Sequence, residues 1–177
     1  ATLKQVNRER ALQKLMTINM LKRLESCVDS FRITLKKIRD INKKTLNSIL
    51  DWEEHRAFGQ TIELAQVDEE TLENEDFDIS NESTLGKVKI DFRDMDLRLW
   101  KEDLNRDIGI LNLLYGLMEY ITPSKDLKLQ KLVRVIEDKI NNPINPGNKK
   151  VLIFSAFADT TNYLYDNLAP FMKEKYG

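Results

Sequence analysis

Cysteine and histidine are almost missing from this chain of 177 residues, and each scarcity excludes a class of protein. The single cysteine, Cys27, excludes an internal disulfide, so we expect a reducing compartment and place the protein in the cytoplasm. The single histidine, His55, leaves too few ligands for a zinc site, and we expect no metal site. No apolar run approaches the ~20 residues that span a bilayer, so we expect no membrane association.

The first 58 residues predict a long helical arm. Neither glycine nor proline occurs before Gly59, so neither residue interrupts a helix in this stretch. Apolar residues recur there at steps of three and four, which places them on one stripe with heptad spacing. This seam consists of Leu21, Leu24, Val28, Phe31, Leu35 and Ile38. We predict a helix over about residues 7–54, with a bend near Glu25-Ser26.

Residues 59–92 predict an acidic variable loop. Residues 68–84 hold eight acidic side chains and no basic one, whereas residues 1–50 hold twelve Lys/Arg against four Asp/Glu. Such segregation guides a polyanion towards the basic arm, although charge runs are also typical of ordinary solvated faces. Apolar residues show no steady period between residues 59 and 85, and we expect no regular structure there. Val88, Ile90 and Phe92 alternate with polar residues, which fits either a short strand or the lead-in to the next helix.

Residues 93–142 predict a long return helix and then a shorter connecting helix over about residues 125–141. Gly109 and Gly116 weaken the return helix, and we expect them to permit the close approach of a neighbouring helix. Pro123 ends the return helix because proline cannot continue the hydrogen-bond ladder. Two long helices joined by a polar loop predict an antiparallel hairpin, since each apolar stripe needs a partner.

The last segment, residues 143–177, predicts a strand followed by a helix. Val151-Leu152-Ile153-Phe154 is a continuous β-favouring run, as expected of a strand buried on both faces. A lone strand cannot satisfy its own backbone groups, so we expect it to pair outside this chain, and in the isolated chain with another copy. Val151–Phe154 is therefore a candidate self-association site. We expect Asp159 or Thr160 to cap the final helix, and Pro170 to interrupt it or to begin a new turn after it.

Three short motifs resemble a known family. Residues 20–27 read Met-Leu-Lys-Arg-Leu-Glu-Ser-Cys, and residues 126–132 read Asp-Leu-Lys-Leu-Gln-Lys-Leu. Residues 150–157 read Lys-Val-Leu-Ile-Phe-Ser-Ala-Phe, and Asp159-Thr160 and Tyr163-Leu164 follow as part of the same motif. Together they resemble the region that follows the first motor lobe of bacterial Swi/Snf-type superfamily-two helicases. The family shows Leu and Ser where this chain has Met20 and Cys27, and many relatives have Gln where it has Ala156. The resemblance covers roughly residues 14–38 and 103–168, in the family's order, with a variable insert between them.

The resemblance implies a fold class and a parent activity. The implied fold is mainly α, with a long antiparallel, coiled-coil-like helical hairpin, a shorter helix and a truncated β-α start of a RecA-like lobe. The parent would be an ATP-dependent helicase or translocase that acts on nucleic acid, double-stranded DNA above all, with ATP and Mg²⁺. We expect this chain to be a segment of a longer protein, with the first lobe before Ala1 and the rest of the second lobe after Gly177.

Residues for ATP chemistry are missing from the chain itself. It has no G-x-x-x-x-G-K-[ST] loop, and neither an acidic Mg²⁺ box nor an arginine finger accompanies the three motifs. We therefore expect no catalytic, cofactor-binding or metal-binding residue in this segment. As the resemblance implies, its function would be to couple closure of the two lobes to movement along nucleic acid.

Four residues are candidates for contacting nucleic acid or for bracing the joint between the lobes, as the resemblance implies. Lys22 and Arg23 would contact a phosphate or brace the joint; otherwise they are ordinary solvent-facing charges beside the seam. Ser155 and Thr160 would donate to a nucleic-acid backbone; otherwise they cap and end the strand–helix turn.

Two other functions fit the sequence without the resemblance. One is a coiled-coil structural adapter for protein binding or dimerisation, which the heptad seams and the acidic loop support. It predicts a defined oligomer and no affinity for DNA at low salt. The other is an α/β nucleotide-binding enzyme built on Val151–Phe154, although no phosphate-binding fingerprint follows that strand.

Overall fold

The fold is mainly helical, as predicted, in a computed structural model that describes residues 2–55, 61–66 and 86–176. The elements, in chain order, are α1 (Thr2–Ser26), α2 (Val28–His55), β1 (Thr61–Gln66), β2 (Gly86–Asp91), a 3₁₀ helix (Phe92–Asp94), α3 (Leu97–Glu119), α4 (Leu127–Asn141) and α5 (Ala158–Tyr176). Helices α2 and α3 form the long hairpin, and α4 and α5 pack together as a second pair.

The hairpin of α2 and α3 is held by two apolar clusters. Near the start of α2, Phe31 and Leu35 pack on Leu111 in the second half of α3. Near the end of α2, Ile49 packs on Leu104 in the first half of α3. The two helices therefore run antiparallel. Their heptad spacing accounts for the packing, because each helix presents one apolar stripe to the other.

Helices α1 and α2 are separated by a break at Cys27, close to the predicted bend near Glu25-Ser26. Two backbone hydrogen bonds cross the break. The Cys27 N–H donates to the Arg23 carbonyl at 3.0 Å, and the Phe31 N–H donates to the Cys27 carbonyl at 3.3 Å. The chain therefore keeps a nearly helical path through the joint.

The prediction that the apolar seam includes Leu21 and Leu24 of α1 is wrong. Leu21 is 54% exposed and Leu24 is also exposed, whereas the seam residues Phe31 and Leu35 of α2 are buried. The buried side of α1 carries Arg23 instead. The physical reason is that α5 supplies a carboxylate partner for Arg23, and pairing the guanidinium turns the leucine stripe of α1 towards solvent.

Strands β1 and β2, which lie between α2 and α3 in the sequence, form a two-stranded antiparallel sheet. Thr61 lies opposite Asp91, and Gln66 lies opposite Gly86. Of the two predicted alternatives for residues 88–92, the strand is confirmed up to Asp91, and Phe92 then begins the 3₁₀ helix. The prediction of no regular structure over residues 59–85 is wrong for residues 61–66, because their pairing partner lies beyond the acidic run. The acidic run itself, residues 68–84, lies outside the described residues.

Three predictions about α3 and α5 are corrected by the structure. Gly109 and Gly116 lie on an exposed part of α3, and a Cβ added at either position would meet nothing within 4 Å, so none of the described helices approaches closely there. Helix α5 begins at Ala158, which places Asp159 and Thr160 inside its first turn rather than at its N-cap. The helix continues through Pro170 to Tyr176, because apolar residues on both sides of the proline pack on α4.

Val151–Phe154 forms no strand and makes no backbone hydrogen bond within the described residues. Exposure alternates along it: Leu152 is 82% and Phe154 90% exposed, whereas Val151 and Ile153 are about half as exposed. The prediction of a strand buried on both faces is therefore wrong for this chain. Its pairing with an outside strand stays a prediction, and the alternation fits an extended segment that lies with one side against helices.

Candidate functional site at the joint of α1 and α2

The joint between α1 and α2 is the point where the N-terminal and C-terminal parts of the chain meet. Arg23, in the last turn of α1, is only 2% exposed. Its Nη1 donates to Asp159 Oδ2 of α5 at 3.0 Å and to Ser30 Oγ of α2 at 3.2 Å. Its guanidinium carbon also lies 4.8 Å from the ring centroid of Phe157. One side chain thus connects three helices and the residue that precedes α5.

A cluster of small polar side chains adjoins Arg23. Ser26 Oγ lies 2.7 Å from Thr160 Oγ1 and 3.4 Å from Ser155 Oγ, and Cys27 Sγ lies 3.3 Å from the same Thr160 oxygen. Thr160 and Cys27 are buried. Buried hydroxyls need partners, and here each finds one across the joint, so the cluster adds directional contacts to the ion pair.

The helix ends at the joint are capped by side chains. The Ser30 N–H donates to Cys27 Sγ at 3.2 Å, so the thiol takes the place that a serine or aspartate oxygen holds at an ordinary N-cap. At the other side of the break, Lys128 Nζ of α4 donates to the carbonyls of Glu25 and Ser26, the latter at 3.1 Å. A cation beside the last carbonyls of α1 also stabilises that helix, because it lies at the negative end of the helix dipole.

Asp126 organises the start of α4 and connects it to α5. Its Oδ1 accepts hydrogen bonds from the N–H groups of Lys128 (2.9 Å) and Leu129 (3.0 Å), which makes it the N-cap of α4. Its Oδ2 accepts from the Tyr163 hydroxyl at 2.9 Å. Burial raises the pKa of Tyr163 well above its usual value, and the hydrogen bond to Asp126 raises it further, so the phenol stays a donor across the physiological range.

Three of the four candidate residues come together in this joint. Arg23, Ser155 and Thr160 lie within one network, whereas Lys22 is exposed. The interpretation of Arg23 as a solvent-facing charge is wrong, because Asp159 lies 136 residues further along the chain and draws it inward. Thr160 does not cap α5, whereas Ser155 Oγ does accept the Phe157 N–H (3.2 Å) in the turn before it.

Several residues of the joint are missed by reasoning from the sequence. They are Ser26, Cys27 as a cap, Asp126, Lys128, Asp159 and Tyr163. Only Asp126 carries a local signal, since an aspartate directly before an apolar helical pattern is typical of an N-cap. The cap by Cys27 is also local, but cysteine is not a typical N-cap residue. The roles of Ser26, Lys128, Asp159 and Tyr163 depend on contacts between distant parts of the chain.

Two grooves lie against the extended segment Val151–Phe154. One, of about 530 Å³, lies between this segment, the joint and helices α4 and α5, and includes Leu132, Ile153 and Leu164 in its lining. The other, of about 390 Å³, is lined by Ile136, Ile153 and Leu168 among others. Both are mainly apolar. The side chain of Ile153 borders both, so apolar surface is exposed on each side of the segment.

The arrangement is suited to fixing the relative position of helices. The hydrogen bonds of Arg23 to Asp159 and Ser30 lie within the joint, and so do the contacts of Thr160 with Ser26 and Cys27, as a structural brace requires. In the part of the chain that the structure describes, no three His, Cys, Asp or Glu side chains come together as a metal-binding group. None of the helices described is both long and apolar enough to cross a membrane.

Comparisons with protein-family models, with curated proteins and with solved structures found no match to this chain.

Proposed function

We propose that this chain is the inter-lobe helical region of a cytoplasmic ATP-dependent DNA helicase or translocase of the Swi/Snf type. In this proposal the chain has no ATPase activity of its own. The parent supplies ATP and Mg²⁺ chemistry in its two lobes, and the partner is double-stranded DNA. The α2–α3 hairpin projects from the first lobe, and α5 belongs to the start of the second.

The proposal is supported by the contact between two of the motifs that carry the resemblance. Residues 20–27 and residues 150–160 are more than a hundred residues apart in sequence, yet they meet through Arg23, Ser26, Cys27, Asp159 and Thr160. The third motif joins the same place through Lys128. Three motifs that resemble a single family therefore build a single joint, which is what a shared mechanical function requires.

The joint gives the proposal a mechanism. A buried guanidinium that is paired with a carboxylate and supported by hydrogen bonds resists separation, because pulling it apart leaves an unpaired charge in a poorly solvated place. A rotation of α5 would therefore be transmitted to the end of α1 and the start of α2. The hairpin, held by two apolar clusters, would carry that rotation as a stiff arm.

Within this proposal the four candidate residues divide into two roles. Arg23, Ser155 and Thr160 brace the joint. Arg23 binds Asp159, the residue before Thr160, and Ser26 contacts both Ser155 and Thr160. Lys22 is exposed on the same turn of α1 and is the candidate for a phosphate contact.

The test compares ATP turnover with movement along DNA in the full-length gene product. Duplex DNA should stimulate its ATP turnover, and the isolated chain should hydrolyse none. Asp159→Asn and Arg23→Lys should retain DNA-stimulated turnover but lose most displacement of a third strand from a triplex, because the lobes would no longer move the arm. Lys101→Gln, which removes a partly exposed charge paired with Glu53 on the hairpin, is the matched control and should leave both activities unchanged.

Two outcomes would contradict the proposal. A full-length protein without DNA-stimulated ATP turnover is not a motor of this class. Equal loss of turnover and displacement in the joint variants, with the control intact, would make the joint part of the ATPase rather than a coupling element.

A coiled-coil adapter is the second candidate function, and exposed apolar surface favours it. Ile110, Leu113 and Leu117 form a stripe along α3 and are all more than half exposed, as are Leu152 and Phe154 in the extended segment. Such surface suits a protein partner or a second copy, and Val151–Phe154 is the candidate for self-association. Light scattering should then find a defined oligomer that Phe154→Asp dissociates, together with no salt-sensitive binding to DNA.

A further inference from the structure

The face of α2 opposite the hairpin seam is strongly basic. Every exposed residue between 36 and 44 is charged, and four of the five are lysines: Lys36, Lys37, Asp40, Lys43 and Lys44. The apolar residues that contact α3 lie on the other side of the helix, so the lysines form one continuous face. The acidic member, Asp40, pairs with its neighbour Arg39 at 3.3 Å, which offsets its charge.

Three of these lysines are available for an outside partner. Lys36, Lys43 and Lys44 form no ion pair within the described residues. Elsewhere on the hairpin, by contrast, Arg98, Lys101 and Arg106 are paired with acidic side chains. Lys36, Lys43 and Lys44 thus differ from these three cations of α3, because they are left for solvent or for a ligand.

We propose that Lys36, Lys43 and Lys44 form a phosphate-binding track for one strand of a nucleic-acid duplex. The inference rests on the proposed function for the class of its partner and adds a contact surface on the hairpin arm, away from the joint. Residues 36–44 extend about 12 Å along the helix at 1.5 Å per residue. A strand of B-DNA presents a phosphate about every 3.4 Å along the helix axis, so three or four phosphates fall within that length.

The composition of this face favours a nucleic acid over an acidic protein. Protein interfaces are centred on buried aromatic or aliphatic anchors, and between residues 36 and 44 this face exposes none. Phosphate backbones need only suitably spaced cations and carry no requirement for an apolar anchor. The rigid backbone of α2, packed along its other side, holds the lysines in register.

The test measures how binding of a short fluorescein-labelled DNA duplex to the chain depends on KCl concentration. The triple variant Lys36→Gln/Lys43→Gln/Lys44→Gln should reduce the slope of log K against log salt by about 2.7, since each phosphate contact contributes about 0.9. The triple arginine variant at the same positions should retain the slope. The control, Arg98→Gln/Lys101→Gln/Arg106→Gln, removes the same charge from α3 and should leave the slope unchanged. Circular dichroism should show that all three variants keep the helical fold.

Three results would overturn this inference: no binding of the duplex at low salt, an unchanged slope in the glutamine triple, or an equal loss in the control. Polyglutamate that competes as well as the duplex at equal charge would identify an acidic protein surface as the partner instead. The proposed function has a separate test in ATP turnover of the full-length protein. Duplex binding that is unaffected by the lysine substitutions would therefore exclude the phosphate-binding track without contradicting the proposed function.

Discussion

Replacing Arg23 by alanine should destabilise the chain more than replacing any exposed cation of the hairpin. The substitution removes a charge-assisted bond to Asp159, a bond to Ser30 and the stacking on Phe157. A bond to a charged group contributes about 1.5–3 kcal/mol, and a cation–π contact adds about 0.5–1 kcal/mol. Asp159 is 27% exposed and is partly rehydrated when left alone, so the loss stays near the lower end of the 3–5 kcal/mol typical of broken buried pairs. We expect about 3 kcal/mol.

Urea denaturation followed by circular dichroism measures this loss. Lys22→Ala is the matched control, since it removes the neighbouring, exposed cation of the same helix turn and should cost less than about 0.5 kcal/mol. A double-mutant cycle of Arg23→Ala with Asp159→Ala should show a coupling of roughly 1–2 kcal/mol, because the two side chains are in contact. An Arg23→Ala cost no larger than that of Lys22→Ala, or a coupling near zero, would refute the view of Arg23 as the centre of the joint.

Further predictions concern the helices and the titration of one phenol. Gly109→Ala and Gly116→Ala should each raise the free energy of unfolding by roughly 1 kcal/mol, because both sites are helical, exposed and open; a loss in thermal denaturation would show that this face is covered. Cys27→Ser should be tolerated and Cys27→Ala should cost about 1 kcal/mol in the same assay, because only serine keeps an acceptor for the N-cap; equal costs would exclude the capping role. The contribution of Tyr163 should be complete below pH 10.0 and decline above it, since its pKa is raised in the folded state and the unfolded phenol ionises first. The stability difference between the wild type and Tyr163→Phe should accordingly shrink as pH rises above 10.0, and a difference independent of pH would mean that the bond to Asp126 does not hold the proton.

Local patterns account for most of the helical fold. The heptad spacing of α2 and α3 predicts two apolar stripes that need each other, and the antiparallel hairpin follows from them. The bend near Glu25-Ser26 and the end of the return helix near Pro123 are also local signals, and both lie within a few residues of the breaks in the structure. These features depend on neighbours three or four positions away, which a single sequence displays directly.

Features that depend on distant contacts were not predictable from the sequence. The burial of Arg23 needs a carboxylate 136 residues further along the chain, and only the fold brings it there. The exposure of Leu21 follows from that burial. Helix α5 continues past Pro170 because packing on α4 outweighs the missing hydrogen bond, and β1 forms because β2 pairs with it across the acidic run.

The candidate site shows the same division. The resemblance alone indicates Lys22, Arg23, Ser155 and Thr160 as candidates, and three of the four meet in one joint. The hydrogen bonds that connect Arg23, Ser155 and Thr160 to the joint join residues more than a hundred positions apart, and no spacing rule predicts them.

The decisive measurement is ATP turnover by the full-length gene product, with and without duplex DNA, compared with turnover by the isolated chain. We predict that DNA stimulates turnover in the full-length protein and that the chain alone shows none. Hydrolysis by the chain alone, or a full-length protein indifferent to DNA, would contradict it.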